Sequence, residues 1–245
     1  MSGVAELAGL IRAAGSVVAL TGAGISVPSG IPDFRTPQTG LWENVDPMEV
    51  AHISVFRRDP ERFWRFYGAR FAALRDKRPN AAHAALAELE RSGLIDAVIT
   101  QNIDGLHRAA GTRDLIEVHG SIAGSRCLAC GATYPLAETR RRLEATGIPR
   151  CDCGEVLKPD VVLFGELLDE AAMARASELA AGADLLLCIG SSLEVYPVAG
   201  LPELTLERGG RLAIVTRSTT PFDRWAAVRL DGDVEAELSA VVSAL

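Results

Sequence analysis

Four of the five cysteines fall in two tight pairs, Cys127-x-x-Cys130 and Cys151-x-Cys153, followed by Gly131 and Gly154. Two such pairs, each closed by a turn, can present four thiolates to one tetrahedral ion, and thiolate donors suit zinc. With every coordination position filled by protein, that ion is structural, leaving no open place for water. The second pair is one residue shorter than the usual spacing. Cys188 lies within the apolar run Leu185–Ile189 and reads as a core thiol. A different chemistry is offered by Gly22, Ala23 and Gly24, which follow the apolar run Val17–Leu20. Glycines directly after a strand let backbone N–H groups approach a phosphate closely. The third glycine of the usual dinucleotide fingerprint is absent, Val27 standing in its place, so these residues alone are equally a tight turn.

Further polar groups stand at the ends of apolar runs. Ala97–Thr100 leads into Gln101, Asn102, Ile103 and Asp104, whose side chains can bind amides and hydroxyls or cap a following helix. Leu115–Val118 ends in His119, an imidazole able to take a proton from a hydroxyl near neutral pH, or simply a structural histidine. The loop Ser29–Arg35 places Asp33, Phe34 and Arg35 in a row, with Trp42 shortly after. An acid, an aromatic and an arginine together can cover a ribose and reach its phosphates. In the segment Glu61–Leu74, Phe63, Tyr67, Arg70 and Leu74 share one helical face, flanked by Phe66 and Phe71. An arginine on an apolar stripe needs a partner. Either a neighbouring element supplies one, or the side chain snorkels, or Tyr67 and Arg70 together grip a carboxylate on a ligand. His52, His83 and His107 read as packing or capping residues.

The elements that must position these groups are read from apolar periodicity. Val17–Leu20, Ala97–Thr100, Leu115–Val118, Leu185–Ile189, Leu212–Val215 and Ala227–Leu230 are continuous apolar runs separated by helical patterns. They imply an α/β fold with a parallel, doubly wound sheet covered on both faces. The expected larger unit is a Rossmann-like, dinucleotide-binding domain built from residues 1–30, 80–120 and 158–245. Two inserts, 31–79 and 121–157, form a smaller helical and zinc-binding domain, with the ligand cleft between the two. The chain of 245 residues has 48% hydrophobic and 23% charged residues, an ordinary globular balance. A net charge of -7 gives no reason to expect nucleic acid or an anionic membrane. No apolar run approaches a membrane span, and the N-terminus lacks the features of a secretory signal, so the reading places the protein in the cytoplasm.

The order of these motifs is specific. Gly22–Trp42 resembles the sirtuin signature, Gly-Ala-Gly-x-Ser followed by Ser29-Gly30-Ile31-Pro32-Asp33-Phe34-Arg35 and Gly40-Leu41-Trp42. Thr100–His107, His119-Gly120, Asp160–Glu166 and Gly190-Ser191-Ser192-Leu193 continue the resemblance in the same order over nearly the whole chain. The resemblance implies an NAD-dependent lysine deacylase. It makes His119 the base, a catalytic residue with Asn102 and Asp104, which hold the nicotinamide end of NAD, with Gln101 near the ribose and Ile103 also among the cofactor-binding residues. It gives Gly190, Ser191 and Ser192 to the cofactor as well. The implied reaction has the acyl-lysine oxygen attack the anomeric carbon as nicotinamide leaves, with His119 then assisting a ribose hydroxyl. Its products are lysine, nicotinamide and O-acyl-ADP-ribose. The spacing Tyr67-x-x-Arg70 is similar to that of the sirtuin subgroup removing succinyl and malonyl groups, with deacetylation expected to be weaker. An acylated peptide would add as a strand between Val161–Glu166, with Phe164 and Gly165 in contact, and Glu194–Pro197, with Val195 in contact. One departure stands out: Thr216 replaces the family's asparagine at the adenosine ribose, while Val234 ends the segment expected along the adenine. A mono-ADP-ribosyltransferase using the same cleft, or a non-catalytic NAD-sensing module, are the competing readings.

Overall fold

A computed structural model of the protein describes residues 3–33 and 45–245. Its strands are β1 (Val17–Thr21), β2 (Ala97–Thr100), β3 (Leu115–Glu117), β4 (Gly120–Cys127), β5 (Thr133–Pro135), β6 (Leu157–Val161), β7 (Leu185–Ile189), β8 (Arg211–Val215) and β9 (Ala226–Leu230). The helices are α1 (Gly3–Ala13), α2 (Pro47–Val50), α3 (Ile53–Arg58), α4 (Pro60–Ala73), α5 (Ala81–Arg91), α6 (Leu106–Ala110), α7 (Leu136–Thr146), α8 (Glu170–Gly182), α9 (Leu201–Glu207) and α10 (Val234–Ala244).

Six strands form one parallel sheet in the order β3-β2-β1-β7-β8-β9. This is the doubly wound arrangement that the apolar runs imply, and each run found its place in it. Because side chains alternate across a strand, neighbouring residues feed opposite layers. Val17 and Ala19 of β1 join Leu185, Leu187 and Ile189 of β7 in the core layer under α1, α5 and α10. Val18 and Leu20 join Leu186 and Cys188 in the layer under α8 and α9. Cys188 is thus the core thiol its surroundings suggested. A strand buried on both faces cannot alternate polar with apolar residues, which is why these segments read as unbroken apolar runs.

The second sheet has three antiparallel strands, ordered β5-β4-β6. The sequence reading began the return of the larger unit at residue 158. Instead, the strand Leu157–Val161 hydrogen-bonds to Gly120–Cys127 and belongs to this small sheet. The apolar character of Leu157 reflects packing against Cys127 and Cys151, and that of Val161 packing under α3 and α4, and not membership of the parallel sheet. Helix α4 packs on this sheet through Phe63, Trp64, Tyr67 and Phe71, against Ile122, Val161 and Leu163. Its start is fixed by Pro60 in the first turn and by Asp59, whose carboxylate accepts the Arg62 N–H at 3.0 Å. Trp64, absent from the stripe read in the sequence, donates its indole N–H to the Leu157 carbonyl at 3.0 Å and so ties α4 to β6. No helix among the described residues is long and apolar enough to cross a membrane.

Candidate active site

In an open parallel sheet the ligand crevice lies beyond the strand C-termini where the strand order reverses. That point falls between β1 and β7. Gly22 follows β1, Gly190 follows β7, and the two turns are pressed together. The Gly22 N–H bonds the Ile189 carbonyl at 3.0 Å, and the Gly24 N–H bonds the Gly190 carbonyl at 2.8 Å. A Cβ on Gly24 would stand 2.7 Å from the Gly190 Cα, and one on Gly190, whose φ is 61°, would collide with the Ile25 nitrogen. The glycines therefore do more than make a turn: they let two backbones meet where a dinucleotide would lie. Above them opens a cavity of about 1800 Å³. A drug-sized ligand occupies a pocket of roughly 300–1,000 Å³, so this one has room for a dinucleotide and a further group.

At the centre of the cavity a polar row runs off β2. Asn102 is buried and donates to the Gly22 carbonyl at 3.0 Å and to the Ser26 hydroxyl at 3.2 Å. Ser26 in turn donates to Asp104 at 2.7 Å, and the other Asp104 oxygen accepts the Leu106 N–H at 2.9 Å, capping α6. One side chain thus serves both the first turn of α6 and the polar row, through different oxygens, two readings that the sequence alone had set against each other. Burial raises the Asp104 pKa, opposed by these hydrogen bonds and by the charge of Arg70. Gln101 donates to the Ser191 hydroxyl at 3.0 Å, joining the β2 and β7 turns. His119 lies next along the wall. Its Nδ1 lies 3.0 Å from the Gln101 carbonyl, which can only accept. Nδ1 is therefore the donor, and Nε2 of the neutral ring is left as a base. Burial lowers the His119 pKa, with the Gln101 bond acting in the opposite sense.

Behind this row lies a second pair of imidazoles. His107 approaches the Thr21 hydroxyl at 2.9 Å, and His83 closes a capping box with Asn80 at the start of α5. Both are structural, as expected; His52 likewise caps α3. Burial pushes His83 down to about 4 and His107 to about 3. Unfolded imidazole titrates near 6.5, so the unfolded chain binds more protons between the two values. Stability is full above pH ~6.5 and falls as the pH drops towards the folded-state values. For fully buried His83 alone the loss is on the order of 3 kcal/mol. The urea midpoint should begin to fall near pH ~6.5, well above the carboxylate range; a midpoint constant down to pH ~5 would contradict this.

Tyr67 and Arg70 of α4 also line the cavity, as do Val161, Phe164, Gly165, Glu166 and Val195. Tyr67 stacks on Phe63 with centroids 4.4 Å apart, and burial pushes its pKa up to about 12, so its hydroxyl remains a donor. Burial lowers the Arg70 pKa, while Tyr67 and Asp104 act to raise it. The guanidinium is therefore in electrostatic contact with the polar row as well as with Tyr67. Asp33, Ala23, Ile103 and Ser192 also border the cavity, and Thr216 and Val234 stand at its far end. Thr216 is buried, its N–H bonded to the Leu230 carbonyl at 3.0 Å. Phe34, Arg35 and Trp42 lie outside the described residues.

The four paired cysteines converge away from the cavity, at the far end of β4. Their sulfurs all lie within 4.8 Å of one another, with Cys127–Cys153 and Cys130–Cys151 each at 3.5 Å. Zn–S bonds of about 2.3 Å in a tetrahedron put sulfurs about 3.8 Å apart, so the cluster fits zinc despite its short second pair. Sequence reasoning missed Ser26 as a hub of the polar row. Its place two residues beyond Gly24, facing the end of β2, was the available signal.

Comparison with known proteins agrees with this geometry. The model of the Sir2 family matches residues 22–197. The chain is 46% identical over 239 residues to the NAD-dependent protein deacetylase of Sulfolobus acidocaldarius, covering 97% of this chain and 93% of that protein. It is 43% identical over 230 residues to the NAD-dependent protein deacetylase of Thermotoga maritima, covering 94% and 93%. A solved Sir2 with deacetylated p53 peptide and 3′-O-acetyl ADP ribose has a TM-score of 0.93 at 41% identity, covering 97% of this chain and 96% of that one. A Sir2 bound to a propionylated peptide has a TM-score of 0.90 at 40% identity, covering 99% and 98%.

Proposed function

This chain belongs to the Sir2 family, and from that premise we propose that it is an NAD-dependent protein lysine deacylase whose pocket takes succinyl and malonyl groups as well as acetyl. The observation that carries the reading is one cavity lined both by a neutral imidazole whose Nε2 is left as a base and by Tyr67 and Arg70. NAD, when bound, supplies the ADP-ribose that accepts the acyl group and the nicotinamide that departs. Gly22, Gly24, Gly190 and Ser191 hold its phosphates and sugars, Asn102 and Asp104 its nicotinamide end, and Thr216 and Val234 the adenosine. His119 takes a ribose hydroxyl proton at Nε2, and the proton stays on the ring because Nδ1–H is already committed to Gln101.

The acyl preference rests on α4. A guanidinium pairs a carboxylate bidentately, and a protonated tyrosine adds a third hydrogen bond. Acetyl offers neither group anything to bind. Arg70→Met should lower kcat/KM for a succinyl-peptide by at least about a hundredfold, with a much smaller change for the acetyl-peptide. Equal losses on both peptides would mean that Arg70 only holds the helix in place, and the acidic-acyl reading would fall.

A further inference from the structure

Strand β6 carries a lysine where a core residue belongs. Lys158 is buried, with 7% of its side chain exposed. Its ammonium has three N–H donors, and three acceptors meet it: the Pro159 carbonyl at 3.2 Å, the Val161 carbonyl at 2.8 Å and the Glu166 carboxylate at 2.9 Å. The same Glu166 oxygen accepts the Leu163 N–H at 2.9 Å, and the Glu166 N–H returns to the Leu163 carbonyl at 3.0 Å. A buried lysine paired with a partly buried carboxylate thus closes the turn Val161–Glu166.

That turn is the cleft wall. Its Val162 N–H bonds the His119 carbonyl at 2.8 Å, and Phe164 exchanges backbone bonds with Ala51 and Ile53 at the start of α3. A buried ion pair adds little net stability over a well-packed apolar pair, so what it contributes is a fixed geometry. We propose that Lys158 is a positioning residue for the acylated peptide: by fastening Glu166 it fixes the edge Val161–Glu166 on which the peptide lies. This rests on the peptide placement given above. There is a corollary for the acyl group. Glu166 acts electrostatically on Tyr67, and both line the same cavity. Without the lysine, an uncompensated carboxylate would face an acidic acyl chain.

The test compares Lys158→Met, Lys158→Arg and the double variant Lys158→Met/Glu166→Gln with the parent, using acetyl- and succinyl-peptides at saturating NAD, and NAD titrations at saturating peptide. Lys158→Met should raise the peptide KM at least about tenfold for both acyl groups, more for succinyl, with the KM for NAD little changed. Lys158→Arg should restore part of the loss. The double variant, which removes both charges and is the safer of the two for folding, should abolish the extra penalty on succinyl while keeping the raised peptide KM. A Lys158→Met enzyme whose peptide KM is unchanged, or whose NAD KM rises as much as its peptide KM, overturns the proposal. The acetyl-peptide separates the two readings: a raised KM there supports Lys158 even if Arg70 proves indifferent to succinyl.

Discussion

His119→Ala should leave NAD and acyl-peptide binding nearly intact and lower deacylation by about a thousandfold, the middle of the range for removal of a positioned general base. The size follows from the geometry. Nδ1 is held by the Gln101 carbonyl at 3.0 Å, so the ring is fixed in one tautomer with Nε2 directed to the cavity. A base held in one tautomer keeps Nε2 available to accept the proton, and its full effect requires no change of tautomer. The pH profile gives a second readout. Burial lowers the His119 pKa, so more acid is needed to protonate the ring than for a free imidazole. The acid limb of kcat/KM should therefore lie below pH ~6.5, and activity should be flat through neutrality. A limb at or above that value, or a variant retaining full turnover, would remove His119 from its role.

Removal of zinc should have the other large effect. Four cysteines drawn within 4.8 Å of one another in the described structure are poorly placed without an ion to bind them. A structural zinc site supplies about 10 kcal/mol or more of binding free energy that is also folding free energy. Two strands carry that energy to the cleft. β4 begins at Gly120, directly after His119, and ends at Cys127, a span of roughly 25 Å. β6 runs back from Leu157 beside the cluster to Val161 at the cavity. Purified protein should contain one zinc per chain by elemental analysis. A strong chelator, or Cys151→Ser, should release it, lower the melting temperature and abolish deacylation. Full activity in metal-free protein would show that the cysteines serve another purpose.

The parallel sheet was legible in the sequence because its strands are buried on both faces, so runs such as Val17–Leu20 and Leu185–Ile189 are apolar throughout. The small sheet was not. Gly120–Cys127 is only partly buried and reads Gly-Ser-Ile-Ala-Gly-Ser-Arg-Cys, with no periodicity to set it apart from a loop. The same contrast holds in the site. The paired cysteines announce their chemistry by type and spacing, while the glycines after β1 and the histidine after β3 gain theirs only from the order of motifs that resembles a known family. Ser26 and Lys158 do not, since their roles depend on partners about 80 and a few residues away that only the folded chain brings to them. Asp104 shows the limit most plainly. The question of cap or ligand had no answer in one dimension, because one of its oxygens caps α6 while the other holds Ser26.

The contact between Gly22–Gly24 and Gly190 constrains how such an enzyme can be altered. Each turn occupies the volume in which a side chain of the other would have to stand. Neither loop can be diversified singly, so libraries aimed at a changed nucleotide should fail there one position at a time. The wall formed by α4 rests on a helix whose residues Tyr67 and Arg70 line the cavity, and the glycine interlock of the two turns does not involve it. New acyl selectivity should therefore be reachable by small steps on a floor that itself stays the same.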